Sequence, residues 1–257
     1  MWPSVSKAFV DFNTPLEGYL TFMYTDARGL VTTGMGNLVD PVSLALALPW
    51  KNPDGSLADA GTIQAQWQAV KNGPVNSSVN AGPLTTIRLD KDGVTQAVAA
   101  QLALNEAAAA AAFPAWAQWP ADAQMAVHSM MWAMGSGFTS GFPQFMAAVN
   151  ATPPNFAACA AASAQNPGGQ SLAHFKGVGI QARITANDVC WLNAQQVVSR
   201  GLDPSQLYYP SNVTTFSAAR LAELAVLGLG MGLGAALYFK PMLMMPYVRI
   251  VKGWLLS

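Results

Sequence analysis

Charged side chains are scarce in this chain, since Asp, Glu, Lys and Arg make up only 10% of its 257 residues, against about 25% in an ordinary soluble domain. Acidic and basic residues number 13 each, so the chain lacks the basic excess that binding to nucleic-acid phosphates requires. Hydrophobic residues reach 52%, which excludes an intrinsically disordered chain, because disorder needs few apolar residues. The composition therefore indicates a folded protein with a large core.

Cysteine and histidine are also rare, with two of each. So few cysteines exclude a disulfide scaffold and a multi-cysteine zinc site, and two histidines make an all-histidine metal site implausible. Cys159 and Cys190 lie in apolar helical stretches and are expected to be reduced core residues, although a disulfide stays open in an oxidising compartment. His128 lies between apolar residues and is expected to be a core or groove histidine. No metal or cofactor is implied.

The balanced net charge hides a difference between two parts of the chain. Residues 1–219 carry nine basic and twelve acidic side chains, whereas residues 220–257 carry four basic side chains and one acid, Glu223. We predict a globular domain over 1–202, a polar and proline-interrupted linker over 203–219, and a hydrophobic tail over 220–257.

Apolar periodicity and helix-breaking residues predict a domain of the α+β class that is mainly helical. Two short strands are expected around a turn that contains Gly29, and residues 40–60 are expected to form a loop. The predicted helices cover 4–23, 61–71, 92–112, 120–134, 142–150, 155–165 and 179–200.

Three residues at this hairpin carry chemically useful groups. Glu17 lies near the end of the first predicted helix, Asp26 on the first arm and Thr32 on the second. With a turn over 27–29, Asp26 pairs with Leu30, so Asp26 and Thr32 can share one face as diagonal neighbours. A carboxyl group at a helix end could then face a carboxylate and a hydroxyl across a cleft. Glycoside hydrolysis needs such a pair of carboxyl groups, one to protonate the leaving oxygen and one on the opposite side.

The segment from Glu17 to Gly36 resembles the core signature of the phage-type lysozymes, the muramidases of glycoside hydrolase family 24. In that signature a Glu is followed after eight residues by an Asp, and after five more by a Thr, as here. The remaining signature positions also match, namely Tyr24, Gly29, Gly34 and Gly36. Weaker similarity reaches the family's central helix at 124–138 and its late Gly-Leu-x-x-Arg segment at 179–183.

The resemblance implies a lysozyme-like fold with a cleft between a small β-hairpin lobe and a helical lobe. It implies hydrolysis of the β-1,4 bond between N-acetylmuramic acid and N-acetylglucosamine in peptidoglycan, with inversion at the anomeric carbon. By the same resemblance, Glu17 is the general acid, Asp26 the second carboxylate and Thr32 the hydroxyl that positions water. The residues expected to bind substrate are Tyr24, Trp132 and Gly36.

Three positions depart from the family pattern. Asn37 stands where a His commonly follows Gly-x-Gly, Ala133 where an Asn or Gln is usual, and Asn187 where many members have Glu. The first change removes an ion-pair partner, and the second removes a hydrogen bond on the substrate side. These departures bear on rate and substrate contacts more than on the catalytic assignment.

The tail contains a long apolar run, Leu221–Phe239, which carries no charge after Glu223. Nineteen helical residues span about 28 Å, close to the roughly 30 Å hydrocarbon thickness of a bilayer. Its four alternate glycines, at 228, 230, 232 and 234, give the Gly-x-x-x-Gly spacing of closely packed membrane helices. We predict a transmembrane helix in a membrane-inserting segment over 221–248; the alternative is a buried or oligomer-packing helix.

Peptidoglycan lies outside the cytoplasm, yet the N-terminal residues do not resemble a signal peptide. The hypothesis is a phage virion protein that acts at the host periplasm and cell envelope during genome delivery. Its partners would be peptidoglycan, the bacterial membrane and other virion proteins, with no nucleic acid. The alternatives are a late-acting endolysin, a structural tail or ejection protein with a degenerate lysozyme fold, and a membrane-perturbing protein whose tail is the active part.

Overall fold

A computed structural model describes residues 1–77, 83–164 and 178–211 of the chain. In chain order its helices and strands are α1 (Pro3–Glu17), β1 (Leu20–Thr25), β2 (Val31–Gly34), β3 (Asn37–Leu38), α2 (Val42–Leu46), α3 (Ala60–Lys71), α4 (Lys91–Ala112), α5 (Ala121–Met134), α6 (Pro143–Val149), α7 (Phe156–Ser163) and α8 (Val178–Arg200). The three strands form one antiparallel sheet in the order β1-β2-β3. The prediction of a mainly helical α+β domain is confirmed.

The hydrophobic tail predicted over 220–257 lies outside the described residues, as does the second part of the predicted linker. Among the helices of the described ranges, none combines the length and the apolar character that crossing a membrane demands.

Local chemistry sets several helix starts where the sequence predicts them. A side-chain oxygen of Asp59, Asp90 and Asn155 accepts a hydrogen bond from a backbone N–H in the first turn of α3, α4 and α7, respectively. Such capping satisfies donors that would otherwise lack a partner at a helix N-terminus.

The prediction of one helix over 4–23 is wrong beyond Glu17. Helix α1 ends there because Gly18 adopts a positive φ of 78°, a conformation that glycine enters at little cost. Strand β1 then follows, and its β-branched and aromatic residues pair with β2. The correction makes Glu17 the last helical residue, three residues before the sheet begins at Leu20.

The region predicted as a loop over 40–60 contains the short helix α2. This helix packs on α3, and its Ala45 is fully buried. The indole Nε1 of buried Trp50 donates to the Ala45 carbonyl oxygen at 2.8 Å. The buried indole thus satisfies a carbonyl group near the end of α2.

Helix α5 runs through the middle of the helical part. Every residue from Ala121 to Trp132 is buried, which is the property of a helix covered on all sides. The largest fully buried side chains of the core include Trp50, Trp191, Phe9, Phe113, Phe145 and Phe156. Cys159 and Cys190 are buried and free, as expected for reduced core residues.

Residues 203–211, the first part of the predicted linker, lie against the helical core, and we call them the strap. The Asp122 carboxylate on α5 accepts hydrogen bonds from the backbone N–H groups of Tyr208 and Tyr209, at 2.9 and 3.0 Å. The Pro204 carbonyl accepts from the Ala121 N–H at 2.8 Å. The strap therefore belongs to the folded domain, and the folded part extends to Ser211.

We expect Asp122→Asn to lower the free energy of unfolding of the chain ending at Ser211 by about 1–3 kcal/mol. The reason is that an amide NH₂ would replace one of the two oxygens that accept strap N–H groups. Urea unfolding measures the change. Asp203→Asn is the matched control, because Asp203 is exposed and its turn contacts to Ser205 can be kept by an amide oxygen. An equal loss in both variants would contradict the anchoring role.

Candidate active site

Glu17 forms an ion pair with a buried arginine that is far from it in the sequence. Its Oε1 accepts a hydrogen bond from Arg183 Nη2 at 2.7 Å, and the two side chains are 16% and 11% exposed. Helix α1 brings the carboxyl group to its C-terminal end, and α8 brings the guanidinium across 166 residues of sequence. The resemblance noted Arg183 only as part of a weak motif and did not predict this ion pair.

Two further side chains hold the other arm of the guanidinium. Arg183 Nη1 donates to Asn13 Oδ1 at 3.0 Å, to Ser129 Oγ at 2.7 Å and to the Ser129 carbonyl oxygen at 3.0 Å. Asn13 and Ser129 are both fully buried. Burial lowers the pKa of Arg183, and the charge of Glu17 acts against that effect. The guanidinium thus links α1, α5 and α8 at one point.

Sequence reasoning missed Asn13 and Ser129, although one signal was present. Asn13 precedes Glu17 by four residues and therefore lies on the same face of α1. A buried amide on the face that carries a candidate acid indicates a polar partner, because buried polar groups are hydrogen-bonded. Ser129 gives no comparable signal, since it lies among apolar residues of α5.

The hairpin has the predicted geometry. The Asp26 N–H donates to the Leu30 carbonyl at 2.9 Å, and Tyr24 lies opposite Thr32. Asp26 and Thr32 therefore share one face of the sheet. Asp26 Oδ1 also accepts hydrogen bonds from the N–H groups of Arg28 and Leu30, both at 2.9 Å. The carboxylate is thereby fixed to its own turn, with Oδ2 3.8 Å from Arg28 Nε.

Tyr24 lies opposite Thr32, on the same sheet face as Asp26. Burial raises the pKa of Tyr24, and the charges of Glu17 and then Asp26 raise it further. The Tyr24 phenol is thus within electrostatic range of both Glu17 and Asp26. Thr32 is 3% exposed, and its Oγ1 donates to the Leu30 carbonyl at 3.1 Å.

Trp132 contacts the tight turn between β2 and β3, the turn that contains Gly36. The Trp132 Nε1 donates to the Met35 carbonyl at 2.9 Å, and its ring lies 5.1 Å from that of Phe9. Because the side chain is mostly buried, Trp132 joins α5 to the hairpin turn and offers little surface for stacking on a sugar. Gly36 is half-buried with a φ of 86°.

Asn37 makes contacts of its own in place of the family's His. Its Oδ1 accepts from the Met35 N–H at 3.2 Å, and its Nδ2 donates to the Ala97 carbonyl on α4 at 3.1 Å. Gly34 is required beside it, because a Cβ at Gly34 would lie 2.7 Å from Asn37 Oδ1. Asn37 therefore ties the turn to α4 without a charge.

His128, the remaining candidate residue, lies in the core. His128 is fully buried, as expected of a core histidine, and its Nε2 lies 3.2 Å from Glu106 Oε2. Burial acts to raise the pKa of Glu106, but hydrogen bonds from His128 and the N-terminal ammonium outweigh it and lower the pKa to about 2. In the described ranges, no group of three His, Cys, Asp or Glu side chains is placed to hold a metal ion.

Comparison of the chain with protein-family models, with curated proteins and with solved structures found no match.

We expect Arg183→Met to lower the free energy of unfolding by about 3–5 kcal/mol, because it leaves the partly buried Glu17 carboxylate without its partner. Arg183→Lys should destabilise less, since an ammonium keeps the charge, although its compact head lacks the planar fork that binds all the acceptors of Arg183 at once. Arg200→Met, at the exposed end of the same helix, is the control and should change little. Urea unfolding of all three variants measures the differences, and a similar loss at Arg200 would contradict the role given to Arg183.

Proposed function

We propose that the chain is a peptidoglycan hydrolase that cleaves the β-1,4 bond between N-acetylmuramic acid and N-acetylglucosamine. The observation that carries the proposal is the placing of Glu17 at the end of α1 and of Asp26 on the hairpin, on the sheet face that Tyr24 and Thr32 share. The residues come from the signature that the sequence shares with phage-type lysozymes. Two carboxyl groups in a shared site are the equipment that this reaction class uses.

Glu17 acts as the general acid in this proposal. Arg183 binds Oε1 at 2.7 Å, so the carboxyl group is kept in one orientation with Oε2 assigned to the glycosidic oxygen. Proton donation to that oxygen cleaves the bond to the leaving sugar as positive charge develops on the other ring. A fixed acid contributes because less ordering is needed at the moment of reaction.

Asp26 and Thr32 act on the opposite side of the sugar. Oδ1 of Asp26 is engaged by two backbone N–H groups, so Oδ2 is the oxygen assigned to the attacking water or to the developing charge. The Thr32 hydroxyl donates a hydrogen bond to the Leu30 carbonyl oxygen, which leaves its own oxygen to accept a hydrogen bond from that water. Attack by water from this side would invert the anomeric carbon.

We expect digestion of purified cell walls to release fragments with reducing-end muramic acid. Glu17→Gln should lower the rate by about 10²–10⁴-fold, since it removes the proton donor, and Asp26→Asn should also lower it strongly. Asp11→Asn, on the exposed face of the same helix, is the matched control and should keep the wild-type rate. Because Glu17→Gln also removes the partner of Arg183, each variant is assayed at a temperature where unfolding curves show it to be folded.

A well-folded wild-type protein that releases no reducing ends would overturn the proposal. It would favour a structural virion role with a degenerate lysozyme fold. Two observations favour that structural role. Glu17 is engaged in an ion pair with Arg183, and the uncharged Asn37 binds the Ala97 carbonyl.

We further propose that the tail over 221–248 inserts into the bacterial membrane and that the protein travels in a phage particle. The basis is the sequence alone, namely an apolar run of bilayer length followed by Lys240, Arg249 and Lys252. Basic residues favour the cytoplasmic side of a membrane, so the C-terminus would face the host cytoplasm. A late-acting endolysin is the alternative, and it would be absent from purified particles.

We expect the full chain to float with lipid vesicles and a chain lacking 220–257 to remain unbound while still digesting walls. Leu233→Arg should weaken flotation, because a charge in the centre of a membrane helix costs about 3 kcal/mol. Ser217→Arg, outside the apolar run, is the matched control and should float as wild type does. Equal flotation of the shortened chain would contradict the assignment.

A further inference from the structure

A second ion pair holds the turn that carries Asp26 from outside the sheet. Lys71, the last residue of α3, donates from Nζ to Asp40 Oδ2 at 2.7 Å and to the Gly29 carbonyl at 3.0 Å. The same Asp40 oxygen accepts a hydrogen bond from the Val31 N–H at 3.2 Å. We call Lys71 and Asp40, with the two backbone groups they hold, the turn clamp.

The turn clamp lies where it controls both hairpin groups of the proposed site. Gly29 is part of the turn whose N–H groups bind Asp26 Oδ1, and Val31 directly precedes Thr32 in β2. Since Asp26 is fastened to its own turn, any shift of the turn moves its carboxylate as well. The clamp acts on the backbone just before Thr32 in the same way.

The surroundings make this pair stronger than an ordinary surface ion pair. The Lys71 and Asp40 side chains are 33% and 14% exposed, and each makes a second hydrogen bond to the hairpin backbone. Exposed pairs contribute little, whereas partly buried pairs with further charge-assisted hydrogen bonds hold their geometry. The segment after α3 adds to the clamp, because the Asn76 N–H donates to the Asp26 carbonyl at 3.1 Å.

We propose that Lys71 and Asp40 are positioning residues for the proposed reaction, and this inference rests on the proposed function. They touch no reacting atom, and they act by fixing Asp26 and Thr32 opposite Glu17. Small displacements of a reacting group lower the rate of the chemical step with little change in ground-state binding. The clamp should therefore affect kcat and leave KM nearly unchanged.

The test uses the full chain in detergent micelles with three variants. Lys71→Met keeps the length of the side chain but removes its charge and hydrogen bonds, and Lys71→Arg keeps a cation that can reach both acceptors. Lys51→Met is the matched control, because Lys51 also forms an ion pair, but away from the turn. Its Nζ lies 2.5 Å from Asp90 Oδ2. The readouts are kcat and KM on cell-wall glycan, and hydrogen exchange of the Arg28 and Leu30 amides.

We expect Lys71→Met to lower kcat by about tenfold with KM within about twofold of wild type. Exchange of the two amides should speed up, and Lys71→Arg should restore most of kcat. Lys51→Met should leave kcat and exchange unchanged. A kcat that stays at the wild-type value in Lys71→Met, or an equal loss in Lys51→Met, would overturn the positioning role.

The two proposals fail in different ways. If the wild-type protein cleaves no glycan, the proposed function fails and the positioning role falls with it, while faster amide exchange in Lys71→Met would still identify the clamp. If the wild-type protein is active and Lys71→Met matches it, the function stands and only the positioning role is lost.

Discussion

The buried guanidinium of Arg183 is the contact on which the candidate site depends. It is held by Asn13 from α1 and Ser129 from α5, and it holds Glu17 in turn. A charge in such a place is costly unless its donors are satisfied, and here both arms of the guanidinium have acceptors. Helices α1, α5 and α8 meet at this group. The orientation of the Glu17 carboxyl group therefore depends on the packing of the helical core.

The hairpin is held by a different kind of interaction. Asp26 is fixed to its own turn by backbone N–H groups, and the turn is fixed to α3 by Lys71. Two short polar connections from the core, at Trp132 and Asn37, hold the β2–β3 turn from the other end. The proposed acid is thus positioned by a buried ion pair, and the proposed second carboxylate by a network of backbone hydrogen bonds. A chain with only 10% charged residues places several of its ion pairs at this site.

The strap over 203–211 covers the start of α5, where Asp122 accepts hydrogen bonds from two of its backbone N–H groups. A polar, proline-interrupted composition predicts a free linker as readily as a packed strap, because its backbone groups can bond to water or to a buried carboxylate. Only the position of Asp122 decides between these two outcomes, and that position depends on the packing of α5 against α8.

By itself the sequence determined the helical class, most helix positions and the hairpin register, because caps, glycines and apolar periodicity act over a few residues. It also marked Glu17, Asp26 and Thr32 as one constellation, since their spacing places two of them on one sheet face. Gly18 marks the end of α1, but local signals could not determine where the following strand begins, because that strand is stabilised by pairing with β2. Nor could they join Glu17 to Arg183 or Gly29 to Lys71, which lie 166 and 42 residues apart. Those contacts exist only after the helices have packed, so the tertiary structure alone decided them.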